Sequence, residues 1–276
     1  RRTTRNGEKI GMAYNNTDRD YIFTNDYVAF RVKQGYLDKL LPDYLYLFFC
    51  RDEFDRYARY KSTGSATEFF NWEDMCAVPF KIPPMDFQQL IVNTYKVLNE
   101  RIALKQKIND NLEAMLAAVF ADTFSADNAA ERSKLSELMS FGNGKSRPKT
   151  DGTIPVYGGN GILSYTDQHN IENAILIGRV GAYCGSVYLE QGICWVSDNA
   201  IYAKSKISKD EFFDYFLLKG LNLFNHHVGT GQQLLTQEIL NNIEVAKPDI
   251  EQIAAFNENA KAFYETIAKN ENEIIR

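Results

Sequence analysis

Thr24-Asn25-Asp26-Tyr27-Val28-Ala29-Phe30 returns, altered, as Ser197-Asp198-Asn199-Ala200-Ile201-Tyr202-Ala203. Around these two stretches a whole module comes back. Pro42-Asp43-Tyr44-Leu45-Tyr46-Leu47-Phe48-Phe49 pairs with Lys209-Asp210-Glu211-Phe212-Phe213-Asp214-Tyr215-Phe216. Lys61-Ser62-Thr63-Gly64-Ser65-Ala66 pairs with Val228-Gly229-Thr230-Gly231-Gln232-Gln233, and Pro84-Met85-Asp86-Phe87-Gln88 with Pro248-Asp249-Ile250-Glu251-Gln252. The offset changes between blocks, so short insertions or deletions separate them. A period of roughly 165 residues is far too long for a solenoid. It describes a duplicated module, and a duplicated module engages a duplicated target.

Bulk properties narrow the class. A length of 276 residues suggests about two domains, and 45% hydrophobic with 13% aromatic residues can build two ordinary cores. No apolar run reaches the roughly eighteen residues of a membrane span, and Arg1-Arg2-Thr3-Thr4-Arg5 has no apolar signal core. The second copy has some 60 residues, Ser133 to Trp195, whose counterpart before Phe23 is mostly missing. The first module is therefore expected to be truncated on its N-terminal side. Cys50, Cys76, Cys184 and Cys194 form no C-x-x-C pair and have no His at zinc spacing, which reads as reduced thiols of a cytoplasmic protein. A net charge of −5 argues against a nonspecific nucleic-acid coat, though not against a reader inside a larger assembly.

The pattern along the chain alternates modules with long helices. Tyr21-Ile22-Phe23 and Tyr27–Val32 have strand composition. Asp43 is positioned to cap an aromatic helix running through Tyr57, and Ile82-Pro83-Pro84 closes the module. From Asp86 to about Ala121 a helix of about 36 residues, some 54 Å long at 1.5 Å per residue, is expected. Tyr95, Leu98, Ile102, Leu112, Leu116 and Val119 recur on it in steps of three and four, broken by Lys105 and Asn109 in the same frame. Ile250, Ile253, Asn257, Ala260, Tyr264, Ile267 and Ile274 do the same near the C-terminus, with Glu271 the exception. Two such helices make a coiled-coil seam, with Asn as a register-setting residue. The alternative is two amphipathic helices, each lying on its own module. After a polar connector, Ser125 to Ser133, the second module holds Tyr157-Gly158-Gly159-Asn160-Gly161, a strand Ala174–Ile177 leading to Gly178-Arg179-Val180-Gly181, and further strands around Val187–Leu189 and Cys194–Val196.

Catalytic chemistry finds few players. Gly144-Lys145-Ser146 invites a phosphate-loop reading, but Met139 stands where the motif needs its first Gly, and Arg147-Pro148 follows where a helix should begin. Pro83-Pro84-Met85 lacks the Asn/Asp before it and the aromatic after it that an adenine methyltransferase loop requires. His169, His226 and His227 offer no metal pair, and no paired carboxylates stand out. What remains are polar, glycine-rich loops suited to contacting a surface. Lys145, Arg147 and Lys149 flank a proline turn and, with Lys134, can oppose phosphates. Tyr157, Asn160, Arg179 and Tyr183 lie in or beside glycine turns. Thr230, Gln232 and Gln233 follow Gly229, with Gln amides able to pair bidentately with adenine; Ser65 and Thr67 hold the matching place in the first module. Each could equally be an ordinary loop residue. As a set, placed alike in both modules, they favour recognition over catalysis.

The order of these features resembles the specificity (S) subunit of Type I restriction–modification systems. The matching residues are Leu135-Ser136-Glu137-Leu138, the Lys145-to-Pro148 turn, Ile154-Pro155-Val156-Tyr157-Gly158-Gly159-Asn160-Gly161 and Ile177-Gly178-Arg179-Val180-Gly181. The Thr-Gly turns and Pro-x-x-x-Gln at Pro84/Gln88 and Pro248/Gln252 complete the set. The resemblance covers essentially the whole chain and departs from it where the first module opens. It implies an α+β architecture of two target-recognition modules with mixed β-sheets, joined and followed by long helices that pair as an antiparallel coiled coil. The expected boundaries are 1–84 for the C-terminal part of the first recognition domain, 85–124 for a spacer helix, 133–248 for the second recognition domain and 249–276 for a second spacer helix. It further implies that each domain reads half of a bipartite site on double-stranded DNA. Methylation (M) subunits would supply the S-adenosylmethionine chemistry and a restriction (R) subunit the ATP-driven cleavage, leaving this chain non-catalytic and without cofactor. Acidic helix positions such as Asp86, Glu100, Asp110 and Glu113 suit protein partners better than DNA. The competing reading is a coiled-coil adaptor that binds proteins without DNA readout.

Overall fold

The computed structural model describes residues 3–4, 10–24, 27–64, 68–124, 131–229 and 231–275. The chain divides into two compact units, Arg1–Leu104 and Lys105–Arg276.

The N-terminal unit is mostly helical. A two-residue strand β1 (Thr3–Thr4) pairs with β2 (Glu68–Phe69), and between them run helices α1 (Pro42–Phe49) and α2 (Asp52–Lys61); α3 (Trp72–Cys76) follows. The single aromatic helix expected through Tyr57 is thus two, broken at Cys50 and Arg51. Asp43 does not cap α1 but sits in its first turn, where a carboxylate complements the helix dipole. The main-chain N–H of the capping residue Leu41 is taken instead by Oε1 of Gln88 at 2.9 Å. Gln88 is fully buried, and its amide also donates to the carbonyls of Lys39 and Pro83 at 2.7 and 2.8 Å. It lies on the first turn of α4 (Met85–Thr123) and fixes the aromatic helix to it. The core is Ile10, Phe49, Phe54, Ala58 and Phe70. The segments Tyr21–Phe23 and Tyr27–Val32, read as strands, belong to no ladder, and the main chain of Val28–Val32 makes no hydrogen bond among the described residues. Strand-forming side chains alone do not make a strand without a neighbour to pair with.

The C-terminal unit has the sheet. After β3 (Arg132–Lys134) and the short α5 (Leu135–Leu138) come β4 (Met139–Asn143), β5 (Ile154–Gly158), β6 (Gly161–Thr166), β7 (Ile171–Gly178), β8 (Val187–Val196) and β9 (Ala200–Ser205). They form one six-stranded mixed sheet in the order β4-β9-β7-β8-β5-β6, all pairs antiparallel except β5 with β8. Helix α6 (Phe212–Gly220) follows, then α7 (Gln237–Asn242), β10 (Glu244–Ala246) paired with β3, and α8 (Ile250–Ile275). Ala174-Ile175-Leu176-Ile177 reads as a continuous apolar run because β7 is buried on both faces. Ile175 and Ile177 meet the large core that includes Phe212, Phe213, Phe216 and Phe256, while Ala174 and Leu176 meet a smaller one with Tyr157, Cys194 and Val196.

Within this unit the last turns of α4 run antiparallel to α8. Lys105 reaches Asn270 at 2.9 Å and Glu273 at 3.0 Å; Asn270 donates to Asn109 at 2.8 Å. Further along, Tyr264 meets Glu113 at 3.4 Å and the Phe120 and Phe256 rings lie 5.5 Å apart. Numbers rise on α4 as they fall on α8. The polar interruptions Lys105 and Asn109 therefore occupy the seam and satisfy each other's partners. The heptad reading slips at its ends. Val119 is 49% exposed and Ile250 70%, while Phe120 turns inward in place of Val119. Asn109, Glu113, Leu116, Phe120 and Phe124 follow steps of four, three, four and four, closer to the 3.6-residue period of a straight helix than to a strict heptad. Glu113, read from sequence as a partner-facing acid, is half-buried and engaged within the unit: its Oε1 accepts from the Tyr215 hydroxyl at 2.6 Å and the Lys219 ammonium at 2.8 Å.

Candidate nucleic-acid interface

Several loops of the C-terminal unit are tied into one cluster by main-chain bonds. Lys145 N–H donates to the Val196 carbonyl at 2.9 Å, and Ser197 N–H to the Tyr157 carbonyl at 2.8 Å. Arg179 N–H donates to Asn199 at 3.0 Å, Gly181 N–H to Gln233 at 3.0 Å, and Leu235 N–H to Arg179 at 2.9 Å. The single Ser186 hydroxyl proton is shared between the carbonyls of Gly159 at 2.6 Å and Tyr183 at 2.8 Å. Segments around residues 145, 157–160, 178–186, 197–199 and 228–235 are thereby neighbours, although they come from every part of the module's sequence.

Two glycines make the close approaches possible. A Cβ on Gly144 would lie 1.9 Å from the Ser197 carbonyl oxygen, and one on Gly178 2.1 Å from that of Tyr183. No side chain fits either place. The Gly144-Lys145 pair that resembles part of a phosphate loop thus has a structural cause: it lets this segment lie against the Ser197 turn.

The sequence-derived residues separate into three groups. Lys145, Asn160, Tyr183 and Gln232 project from the cluster and are exposed, with Arg179 and Gln233 half-buried beside them. Arg179 Nη1 donates to the Asp198 carbonyl at 3.4 Å, and its Nε is buried with no hydrogen-bond partner among the described residues. Arg147 and Lys149 are exposed but lead away from the cluster: the neighbouring Thr150 hydroxyl meets that of Thr166 at 2.9 Å, at the end of β6 opposite Gly161. Lys134 holds Asn242 at 3.0 Å. Tyr157 requires a correction. It is only 8% exposed, packs in the smaller core and donates its hydroxyl to Glu190 at 3.0 Å, so its side chain supports the loop and contacts no external surface. Burial first, and the Glu190 carboxylate second, raise its pKa and keep it neutral. Ser65, Thr67 and Thr230 lie outside the described residues.

Sequence reasoning passed over the turn Ser197-Asp198-Asn199, which sits in the middle of the cluster. The available signal was the repeat itself, since Thr24-Asn25-Asp26 occupies the same place in the first module. Asn25 and Asp26 lie outside the described residues. The nearby thiols offer no nucleophile at neutral pH: burial pushes Cys194 up to about 12 and raises Cys184 as well. Among the described residues no group of three or more His, Cys, Asp or Glu could hold a metal ion, and no helix is long and apolar enough to cross a membrane. The cluster is suited to contact: cations, amides and an aromatic ring on a pinned main chain.

Residues 3–114 and 129–276 match the family model described as the Type I restriction modification DNA specificity domain. No curated protein matches the chain. Among solved structures, the S subunit of a Type I restriction–modification system from M. genitalium is similar at 16% identity and TM-score 0.56, with 86% of this chain and 69% of that one covered. The HsdS subunit from Thermoanaerobacter tengcongensis is 16% identical over 86% of this chain and 66% of its own, with TM-score 0.41. A chain from a structure of the assembly and conformational transition of the type I R-M system is 18% identical over 85% and 68%, with TM-score 0.43. The first of these supports the fold; the other two add nothing to it. The chain spans about two thirds of the length of each.

Proposed function

The chain belongs to the Type I restriction modification DNA specificity family, and from that premise we propose that it reads double-stranded DNA through the loop cluster of its C-terminal unit on behalf of catalytic partners. One observation carries the assignment of the surface. Lys145, Asn160, Arg179, Tyr183, Gln232 and Gln233, distant in sequence, gather on loops whose main chains are bonded to one another while most of their side chains stay exposed. Lys145 and Arg179 supply charge for the phosphate backbone; Asn160, Gln232 and Gln233 supply amides for base edges. Arg147 and Lys149 would reach phosphates beyond the cluster. We assign methyl transfer to M subunits and cleavage to an R subunit, with this chain non-catalytic, without cofactor of its own, and working in the cytoplasm where its DNA lies. The paired part of α4 and α8 offers those subunits a rigid double helix to grip.

Co-expression with a Type I methylation subunit, followed by mapping of methylated adenines across a plasmid library, tests this reading. A bipartite motif is the expected result. A single half-site, or a palindrome from two copies of the C-terminal unit, would confine readout to residues 133–248. A stable complex that methylates nothing would overturn DNA reading in favour of a protein-binding adaptor. Lys145→Ala is expected to weaken binding to all sequences and to lower the salt slope by about one unit; an unchanged slope would remove Lys145 from the phosphate contacts.

A further inference from the structure

The Ser197–Asn199 turn has an unusual combination of properties. Three other segments hold its main chain: Lys145 N–H donates to the carbonyl of the preceding Val196 at 2.9 Å, Ser197 N–H to the Tyr157 carbonyl at 2.8 Å, and Arg179 N–H to the Asn199 carbonyl at 3.0 Å. Its own Ala200 N–H to Ser197 carbonyl bond at 3.0 Å closes it. Gly144 packs under it at a distance no other residue allows. Yet the side chains of Asp198 and Asn199 are exposed and make no hydrogen bond among the described residues.

Asp and Asn in turns ordinarily spend their side chains on their own backbone. This chain does so elsewhere. Asn15 Oδ1 accepts from Thr17 N–H at 2.9 Å, and Asp249 Oδ1 from Glu251 N–H at 2.7 Å. At residues 198 and 199 the neighbouring elements have taken over that task, and among the described residues the two side chains are left without hydrogen bonds on a scaffold that is already ordered. A residue kept only to make a turn would not need this arrangement; a residue that reads a partner does, because the entropy of fixing the loop is lost before binding. The first module repeats the pair in reverse order as Asn25-Asp26.

We propose that Asp198 and Asn199 are specificity-determining residues that read base edges in the major groove, a proposal that rests on the DNA-reading assignment of the cluster. The chemistry selects the bases. An Asn amide pairs bidentately with adenine N6 and N7, and a carboxylate accepts from the cytosine N4 amino group. Asp198 has no place against a phosphate, so its presence in a turn bonded by the main chains of Lys145 and Arg179 puts that turn at a base edge while those cations address the backbone. Ser197, 2% exposed and with no hydroxyl partner among the described residues, positions the turn and reads nothing.

The test uses the chain in complex with its methylation subunit on a randomised-site DNA library, comparing wild type with Asn199→Ala, Asp198→Asn and Gly144→Ala. Asn199→Ala is expected to relax one A·T position and Asp198→Asn one G·C position, each lowering preference for the original base by about tenfold or more. Binding to DNA lacking the site should change less than about twofold, and melting temperature should be unchanged because neither side chain has a hydrogen-bond partner among the described residues. Gly144→Ala should blur both positions together by shifting the Ser197 carbonyl. If wild type shows a motif and both side-chain variants keep it intact, the proposal fails while DNA reading stands. If wild type itself shows no motif, both fall.

Discussion

The two units face the same mechanical problem and solve it from different registers. Each must hold the start of an aromatic helix against a long one, and each does it with a buried amide. In the N-terminal unit Gln88 bonds Leu41, Lys39 and Pro83. In the C-terminal unit Gln252, the repeat counterpart of Gln88, is exposed. Asn257 takes the role: its Oδ1 accepts from Phe213 N–H at 2.8 Å, and its Nδ2 donates to the Ser208 hydroxyl at 2.9 Å and the Asp210 carbonyl at 3.0 Å. The motif Pro-x-x-x-Gln is thus shared in sequence while the anchor has moved five residues along the helix. What the duplication preserved is a requirement: the free N–H groups at a helix start must meet acceptors when they are buried. The side chain that meets it depends on where the connecting loop delivers the helix.

Removing the two anchors should have the largest effect on stability. Asn257 is 2% exposed and Gln88 fully buried, so truncation strands donors and acceptors with no access to water. Asn257→Ala is expected to cost about 2–4 kcal/mol, which corresponds to a melting drop of roughly 5–12 °C in a unit of this size. Gln88→Ala should open the N-terminal unit by a similar amount while leaving amide exchange in the β7–β9 ladder unchanged. If either variant melts within a degree of wild type, that amide is not the anchor. If both changes spread over the whole chain, the two units do not unfold separately.

The comparison also shows which parts of the molecule were legible in the sequence. Local periodicity revealed both long helices, and the apolar run Ala174–Ile177 revealed the central strand, because burial writes itself directly into residue type. The repeat revealed the paired modules. It misled where one copy lacks the other's neighbours: Tyr27–Val32 aligns with β9, which lies between β4 and β7, but itself joins no ladder among the described residues. A ladder is a property of two segments, and a single segment can carry only its half. Among the candidate contacts, Tyr157 was misjudged because a glycine-flanked aromatic looks exposed in one dimension, and only the fold brings Glu190 to its hydroxyl. The Ser197–Asn199 turn was overlooked for the converse reason. The bonds that order it come from residues 145, 157 and 179, none adjacent to it in sequence.

A second contrast concerns charge. Asp214 of α6 aligns with Leu47 of α1. It is 1% exposed, and among the described residues neither carboxylate oxygen has a well-formed hydrogen bond, with the Ser205 hydroxyl as a weak polar neighbour. Burial pushes its carboxyl up to about 7, with Glu211 adding to the effect and Ser205 partly opposing it. The raised value makes the sign unambiguous. The folded unit prefers the protonated acid, so the contribution of this group is fully present below the ordinary carboxylate value near 4 and is lost as pH climbs through about 7. Asp214→Leu, which installs the first module's residue, is therefore expected to raise the melting temperature at pH 8 and to gain little at pH 5. The difference between the two pH values should be on the order of a few kcal/mol at most. A gain that is equal at both pH values would mean that Leu improves packing and that the buried carboxyl is not the liability.

The smallest of these contrasts is a single hydroxyl. Tyr215 aligns with Phe48, and its oxygen sits between Glu113, to which it donates at 2.6 Å, and Lys219, from which it accepts at 3.0 Å. Burial on its own would raise the Glu113 carboxyl; hydrogen bonds from Lys219 and Tyr215 and the Lys219 charge outweigh it and hold the carboxyl below its usual range. The group joins α4 to α6 and, through Tyr264, to α8. Because the Glu113 and Lys219 side chains are 36% and 47% exposed, solvent screens the pair. Tyr215→Phe should then cost only about 1 kcal/mol, a drop of roughly 2–4 °C. A sharper readout is the Glu113 side-chain carbon followed by NMR through acid pH. Its midpoint should move up toward the ordinary value when the hydroxyl is removed and stay low in wild type. An unmoved midpoint with an intact melting temperature would leave Lys219 as the whole of the latch, and the hydroxyl that distinguishes this helix from its first-module counterpart would be incidental.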